Sequence, residues 1–153
     1  MEQSVFKVIR VYRNNFTRLV DGLSAAEFNK VPEGFSNNII WNYGHVIVSQ
    51  QILCYRFTGD LRIDNTLVEK YRRGTRPEAF ISLDEFLLLK ELGVKVIDDM
   101  ERDFATDVFA GFEEYTTSSG STISDIRDAI AYVAAHDALH YGYALAQKRA
   151  LVC

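Results

Sequence analysis

Apolar side chains recur at three- and four-residue steps from the start of the chain: Val5, Ile9, Tyr12, Phe16, Leu19 and Leu23. Lys7, Arg10 and Arg18 fall elsewhere around the same cylinder. That period belongs to an amphipathic helix, because strand faces alternate every second residue. Strict two-residue alternation is sustained nowhere, so the chain is expected to be all-α with no sheet. Three helix starts carry a hydroxyl followed three residues later by a carboxylate, a pattern in which the two satisfy each other's end of the first turn. They are Ser24 with Glu27, Ser82 with Glu85, and Thr122 with Asp125. Ser36-Asn37-Asn38 offers short polar acceptors for a fourth start. The spacing predicts long helices near 3–21, 38–57, 83–106 and 123–149, with short pieces near 24–29 and 65–72. Pro32 and Pro77 fall between them, as helix breakers should.

Four helices around one core imply a four-helix bundle, and 153 residues suit a single domain spanning 1–153. A domain of this size buries roughly 68–70% of its unfolded surface and needs neither disulfides nor a structural metal to fold. Connections of about 15 to 25 residues are too long to force neighbouring helices to be antiparallel, and loops of that length carry short structure or function. Seventeen Lys and Arg against twenty-one Asp and Glu give a net charge of −4, which argues against a nucleic-acid partner held by bulk charge. Apolar runs such as Phe86-Leu87-Leu88-Leu89 are too short to span a bilayer, so no membrane partner is expected. The N-terminus lacks the regions of a signal peptide, and Cys54 and Cys153 form no disulfide framework. A cytoplasmic location is the expectation. Phe86–Leu89 and residues 94–97 cover more than a third of a helix circumference, which predicts a homodimer face unless loops cover it.

All three histidines lie in two of the long helices. His136 and His140 are four residues apart, about 40° and about 6 Å from each other on a helix, a spacing that presents two imidazoles to one metal ion. His45 sits mid-helix among apolar or small neighbours and faces either the core or a cleft wall. Histidines on apolar faces are often hydrogen-bonded core residues, so spacing leaves that reading open. Three neutral imidazoles suit zinc or nickel, with iron, manganese and copper as alternatives, and leave a coordination position for water or substrate.

Asn38 to Val48, with Trp41 four residues before His45, and His136-Asp137-Ala138-Leu139-His140-Tyr141-Gly142-Tyr143 resemble the DinB-like family of metal-dependent proteins. The resemblance runs over nearly the whole chain in order. It implies a four-helix bundle of up-down-down-up connectivity, a homodimer, and a divalent metal held by His45, His136 and His140. Many relatives carry Arg-Gly-Gln where this chain has Tyr141-Gly142-Tyr143, so contacts made through that arginine or glutamine do not transfer. Relatives that use a low-molecular-weight thiol imply the same cosubstrate here.

Other residues supply candidate chemistry. His136-Asp137-x-x-His140 echoes the zincin HExxH with a shorter acid, so Asp137 is a candidate base, against a plainer role supporting the metal ligands. Tyr43 and Tyr141 are the other nearby candidates. Cys54, about 900° around the helix from His45, is expected to be a small core residue. Ser36, Ser49, Ser118 and Ser119 sit in no nucleophile elbow. Arg72, Arg73 and Arg76 lie in a seven-residue run with Lys70 that is either a solvated loop or an anion clamp over the site. Tyr115 to Ser121 is a connector or one rim of the cleft. The expected function is a metal-dependent enzyme acting on a small-molecule substrate by thiol transfer or hydrolysis; the alternative is a non-catalytic, metal-binding or stress-related bundle.

Overall fold

The computed structural model describes residues 2–151, and Cys153 lies outside them. Helix α1 spans Glu2–Asp21, α2 Ala25–Asn29, α3 Ile39–Tyr55, α4 Asn65–Tyr71, α5 Leu83–Phe104 and α6 Ile126–Ala150. A 3₁₀ turn covers Asp107–Phe109, and strands β1 (Tyr115–Thr116) and β2 (Thr122–Ile123) close a small hairpin. Both ends of the Ser24 capping box form, Ser82 accepts from the Glu85 amide, and Asn38 accepts from the Trp41 amide.

Cross-helix contacts fix the direction of each long helix. Arg13 meets Asp137 and Phe16 meets Tyr141, so α1 and α6 run parallel. Asn42 bonds Gln147 while His45 abuts His136, so α3 runs against α6. Gln50 reaches Val96 and Tyr55 reaches Asp103, so α3 and α5 run together. Lys90 pairs with Asp21 and Arg10 with Glu101, setting α5 against α1. The bundle is up-down-down-up.

Helix α3 is buried without a break from Ile39 to Gln51, which an amphipathic helix on a bundle surface could not be. The long connections account for it. Helices α2 and α4 pack on α3, and Tyr115 of the hairpin donates to the Leu53 carbonyl at 2.9 Å. The connections therefore do core work, and they cover the flank that carries His45.

Two expectations fail at one place. The last helix starts at Ile126 under Asp125, whose carboxylate accepts from the Arg127 and Asp128 amides, and not at Thr122. Aspartate is the stronger N-cap, and Thr122 is instead paired opposite Thr116 in a sheet that was not expected. Two-residue strands are too short to show alternation. Of the apolar runs on α5, Phe86, Leu89, Val96 and Ile97 are buried, while Leu87, Leu88 and Val94 remain exposed. Cys54 is a fully buried core residue, and burial raises its thiol pKa. No described helix is long and apolar enough to cross a membrane.

Candidate metal centre

His45 is held on three sides. Its Nδ1 lies 2.7 Å from the Tyr71 carbonyl, which can only accept, so Nδ1 carries the proton and Nε2 keeps its lone pair. One turn earlier, Trp41 stacks on the ring at 4.8 Å and 10°, its indole N–H donating to Thr75 Oγ1 at 3.2 Å. One turn later, the Ser49 hydroxyl lies 3.2 Å from Nε2. The tryptophan four residues before the histidine is thus a wall that fixes the ring plane.

His140 is oriented from across the bundle. Its Nδ1 lies 2.8 Å from Asn42 Oδ1, and the two hydrogens of the Asn42 amide are shared among the Asn38 carbonyl, Asn37 Oδ1 and Gln147 Oε1, each at 3.0 Å. Spending the amide hydrogens there leaves Oδ1 to accept from His140, which again frees Nε2. His136 packs between Tyr132 and the other two imidazoles, with ring centroids 5.2 Å from His45 and 4.4 Å from His140. Ligand nitrogens of all three residues lie within 4.8 Å of one another, and no described carboxylate or thiol joins the group.

Crowding and burial keep the cluster neutral. Burial, then the neighbouring His140 and His45, lowers His136 to about 3. Burial and then His45 lower His140 to about 4. Burial also lowers His45, with the Tyr71 carbonyl opposing and Arg73 adding to the shift. Neutral, pre-oriented imidazoles are what a divalent ion needs, since no proton must be displaced on binding. The all-nitrogen donor set fits zinc, nickel, copper or iron.

A cavity of about 200 Å³ borders His45 and His136, walled by Ile52, Leu53 and Tyr115. A larger one, about 350 Å³, is walled by Trp41 and Arg76 and contains no histidine. Its size does not make it the site of chemistry, because none of the three histidines lines it.

The other expected site residues are dispersed. Asp137 follows His136 by about 100° of helix and is buried, its Oδ2 accepting from Arg13 at 2.9 and 3.0 Å. Burial pushes its carboxyl up to about 6, with Arg13 pulling it back down. The buried Tyr43 hydroxyl bonds Thr17 at 2.7 Å, and burial raises its pKa, so it holds its proton. Tyr141 packs on Tyr12 and Phe16 of α1. Arg72 pairs with Glu69, Arg76 lines the larger cavity, and Arg73 borders the cavity beside the histidines. Of the Tyr115 to Ser121 segment, residues 115–118 form part of that cavity's wall, so the loop is a rim of the site.

Sequence reasoning missed Asn42, Arg13 and Arg56. Arg13 had a signal: it continues the apolar stripe of Ile9, Phe16 and Val20, and a cation there must find a buried acid. Arg56 had none, because its place at the cavity depends on the hairpin.

The fold and cluster together define an all-α bundle in which three histidines from two facing helices are placed to hold one metal ion. A sequence model of the DinB superfamily matches residues 9–144, and the chain belongs to that superfamily. A search of curated proteins finds no match.

Proposed function

We propose that the chain is a divalent-metal-dependent enzyme acting on a small molecule, by thiol transfer or hydrolysis. The observation that supports this reading is the open side of the histidine cluster. Three neutral imidazoles converge, no described acid or thiol completes the set, and a cavity lies beside two of them. A metal-storage or structural site would more naturally be closed by a fourth protein ligand. A bound divalent ion would supply a Lewis acid of undiminished charge, able to activate water or a thiol.

The protein's own groups divide the remaining work. Tyr71 and Asn42 hold the tautomers of His45 and His140, while Trp41 and Tyr132 restrict ring rotation. Ser49 borders the cavity beside His45 and is the hydroxyl best placed to exchange a proton with a bound molecule. Asp137, Tyr43 and Tyr141 have other partners, so the reading gives them support of the scaffold rather than a base's role. Exposed Leu87, Leu88 and Val94 are where the expected homodimer would form, and light scattering returning a monomer would remove that expectation.

The test uses protein purified without a histidine tag. Metal content after reconstitution should approach one ion per chain, and His140→Ala should lower it sharply. Metal-loaded protein is then offered an electrophilic aryl halide with a panel of small thiols, and separately a panel of esters and amides. A rate that survives both His140→Ala and exhaustive chelation would refute the proposal.

A further inference from the structure

We infer that the cavity beside the histidine cluster selects a small organic anion, a carboxylate on an apolar body, with Arg56 and Arg73 as its recognition groups. This names the substrate class for the enzyme proposed above and rests on that reading for its catalytic meaning.

The chain as a whole carries a net charge of −4, yet no Asp or Glu lines this cavity while two arginines do. What sets them apart from the chain's other arginines without a described acidic partner, such as Arg18 and Arg76, is that both line the cavity beside the histidines. Arg10, Arg13, Arg62 and Arg102 each form an ion pair, whereas neither Arg56 nor Arg73 pairs with a described carboxylate. Arg56 is nonetheless held in place. Its guanidinium carbon lies 4.4 Å from the Tyr115 ring centroid and 5.2 Å from that of Phe57. Tyr115 is itself tied to α3 through the Leu53 carbonyl. Arg56 also shares a hydrogen bond with the Tyr115 side chain. A guanidinium carries five N–H donors, so the others remain for a planar, two-oxygen acceptor. Arg73 reaches the same cavity from the turn after α4, so two separate connections bring positive charge to one space.

The rest of the wall argues against a bare inorganic ion. Ile52, Leu53 and the Tyr115 ring present apolar surface, which an organic body would cover and a hydrated phosphate would not. A volume of about 200 Å³ lies below the about 300–1,000 Å³ usual for drug-sized ligands, so the body must be small.

Benzoate, its neutral analogue benzamide, and inorganic phosphate are titrated calorimetrically into full-length zinc-loaded protein and into chelated protein. Benzoate should bind at least about tenfold more tightly than benzamide or phosphate, and Arg56→Gln and Arg73→Gln should each weaken it about tenfold. Arg73 lies on an exposed turn outside every helix, so its variant keeps the test valid if Arg56→Gln disturbs the hairpin. Zinc content and thermal unfolding of each variant separate lost recognition from lost metal or fold. Benzamide binding as well as benzoate would overturn the inference, as would phosphate matching benzoate, or benzoate affinity unchanged in the two variants. A protein that takes up no zinc would sink the catalytic reading alone, because benzoate binding to the chelated protein still decides the anion claim.

Discussion

Gly44→Ala links the packing of α3 to the metal centre. A Cβ on Gly44 would stand 2.5, 2.6 and 2.7 Å from three atoms of the Tyr71 ring. That ring is fully buried, and its hydroxyl is tied to Glu85 at 2.6 Å, so it has little room to retreat. Alanine gains about 1 kcal/mol of helix propensity over glycine. Overpacking a filled core costs about 1–3 kcal/mol, and contacts this short against a ring belong at the upper end. The net expectation is a loss of about 1–2 kcal/mol in urea unfolding of the metal-free protein. The same displacement moves the Tyr71 carbonyl that orients His45, so zinc affinity should fall about 10- to 100-fold. Gly142→Ala is the control, since that glycine is exposed in α6 and an added Cβ meets nothing within 4 Å. It should stabilise by about 0.5–1 kcal/mol. If Gly44→Ala proves as stable and as zinc-avid as Gly142→Ala, the argument from the Tyr71 contact is wrong.

Asn42→Ala removes the acceptor that orients His140 and strands Gln147, so zinc affinity measured by competition with a chromophoric chelator should drop about 10- to 100-fold; an unchanged affinity would refute the orienting role. Arg13→Met leaves a buried Asp137 carboxylate without its partner and should cost about 3–5 kcal/mol, most of it recovered when Asp137→Leu is added. A double variant no more stable than the single one would contradict that account. Acid should destabilise the metal-free protein. In the unfolded chain the three histidines take protons near about 6.5, whereas the fold holds His136 down to about 3 and His140 to about 4 and lowers His45. Asp137 runs the other way, gaining its proton at about 6 in the fold. The unfolded chain still binds more protons from about pH 6 down to about pH 4.5, so stability is lost as pH falls through that window. Denaturant midpoints that stay level or rise across it would contradict the buried, neutral state of the cluster.

Helix α1 was legible as a repeating local pattern and α3, buried all round, by its polar start at Ser36-Asn37-Asn38. The His136–His140 pair was legible because its spacing is a property of one helix. The stacked Trp41 and His45 belong to the same kind of signal, one turn apart on α3. The hairpin and the true start of α6 were not legible, since two-residue strands carry no period and the choice between Thr122 and Asp125 as cap depended on Thr122 being paired across to Thr116. Asp137 shows the limit most clearly. By spacing it stands beside a ligand and invites a catalytic role, yet the structure turns it to Arg13, 124 residues away.

What the sequence by itself determined was the set of long helices and the angular relation of residues on each cylinder, because about 100° of turn per residue fixes the latter without reference to anything else. Only the tertiary structure decided which face met which. Connections of this length leave the order and direction of helices open. The partner of Arg13, the carbonyl that holds His45, the asparagine that holds His140 and the cavity that Arg56 shares with Arg73 all depend on elements far apart in the chain. Those pairings are set by the joint burial of several faces at once, a quantity that no single segment carries.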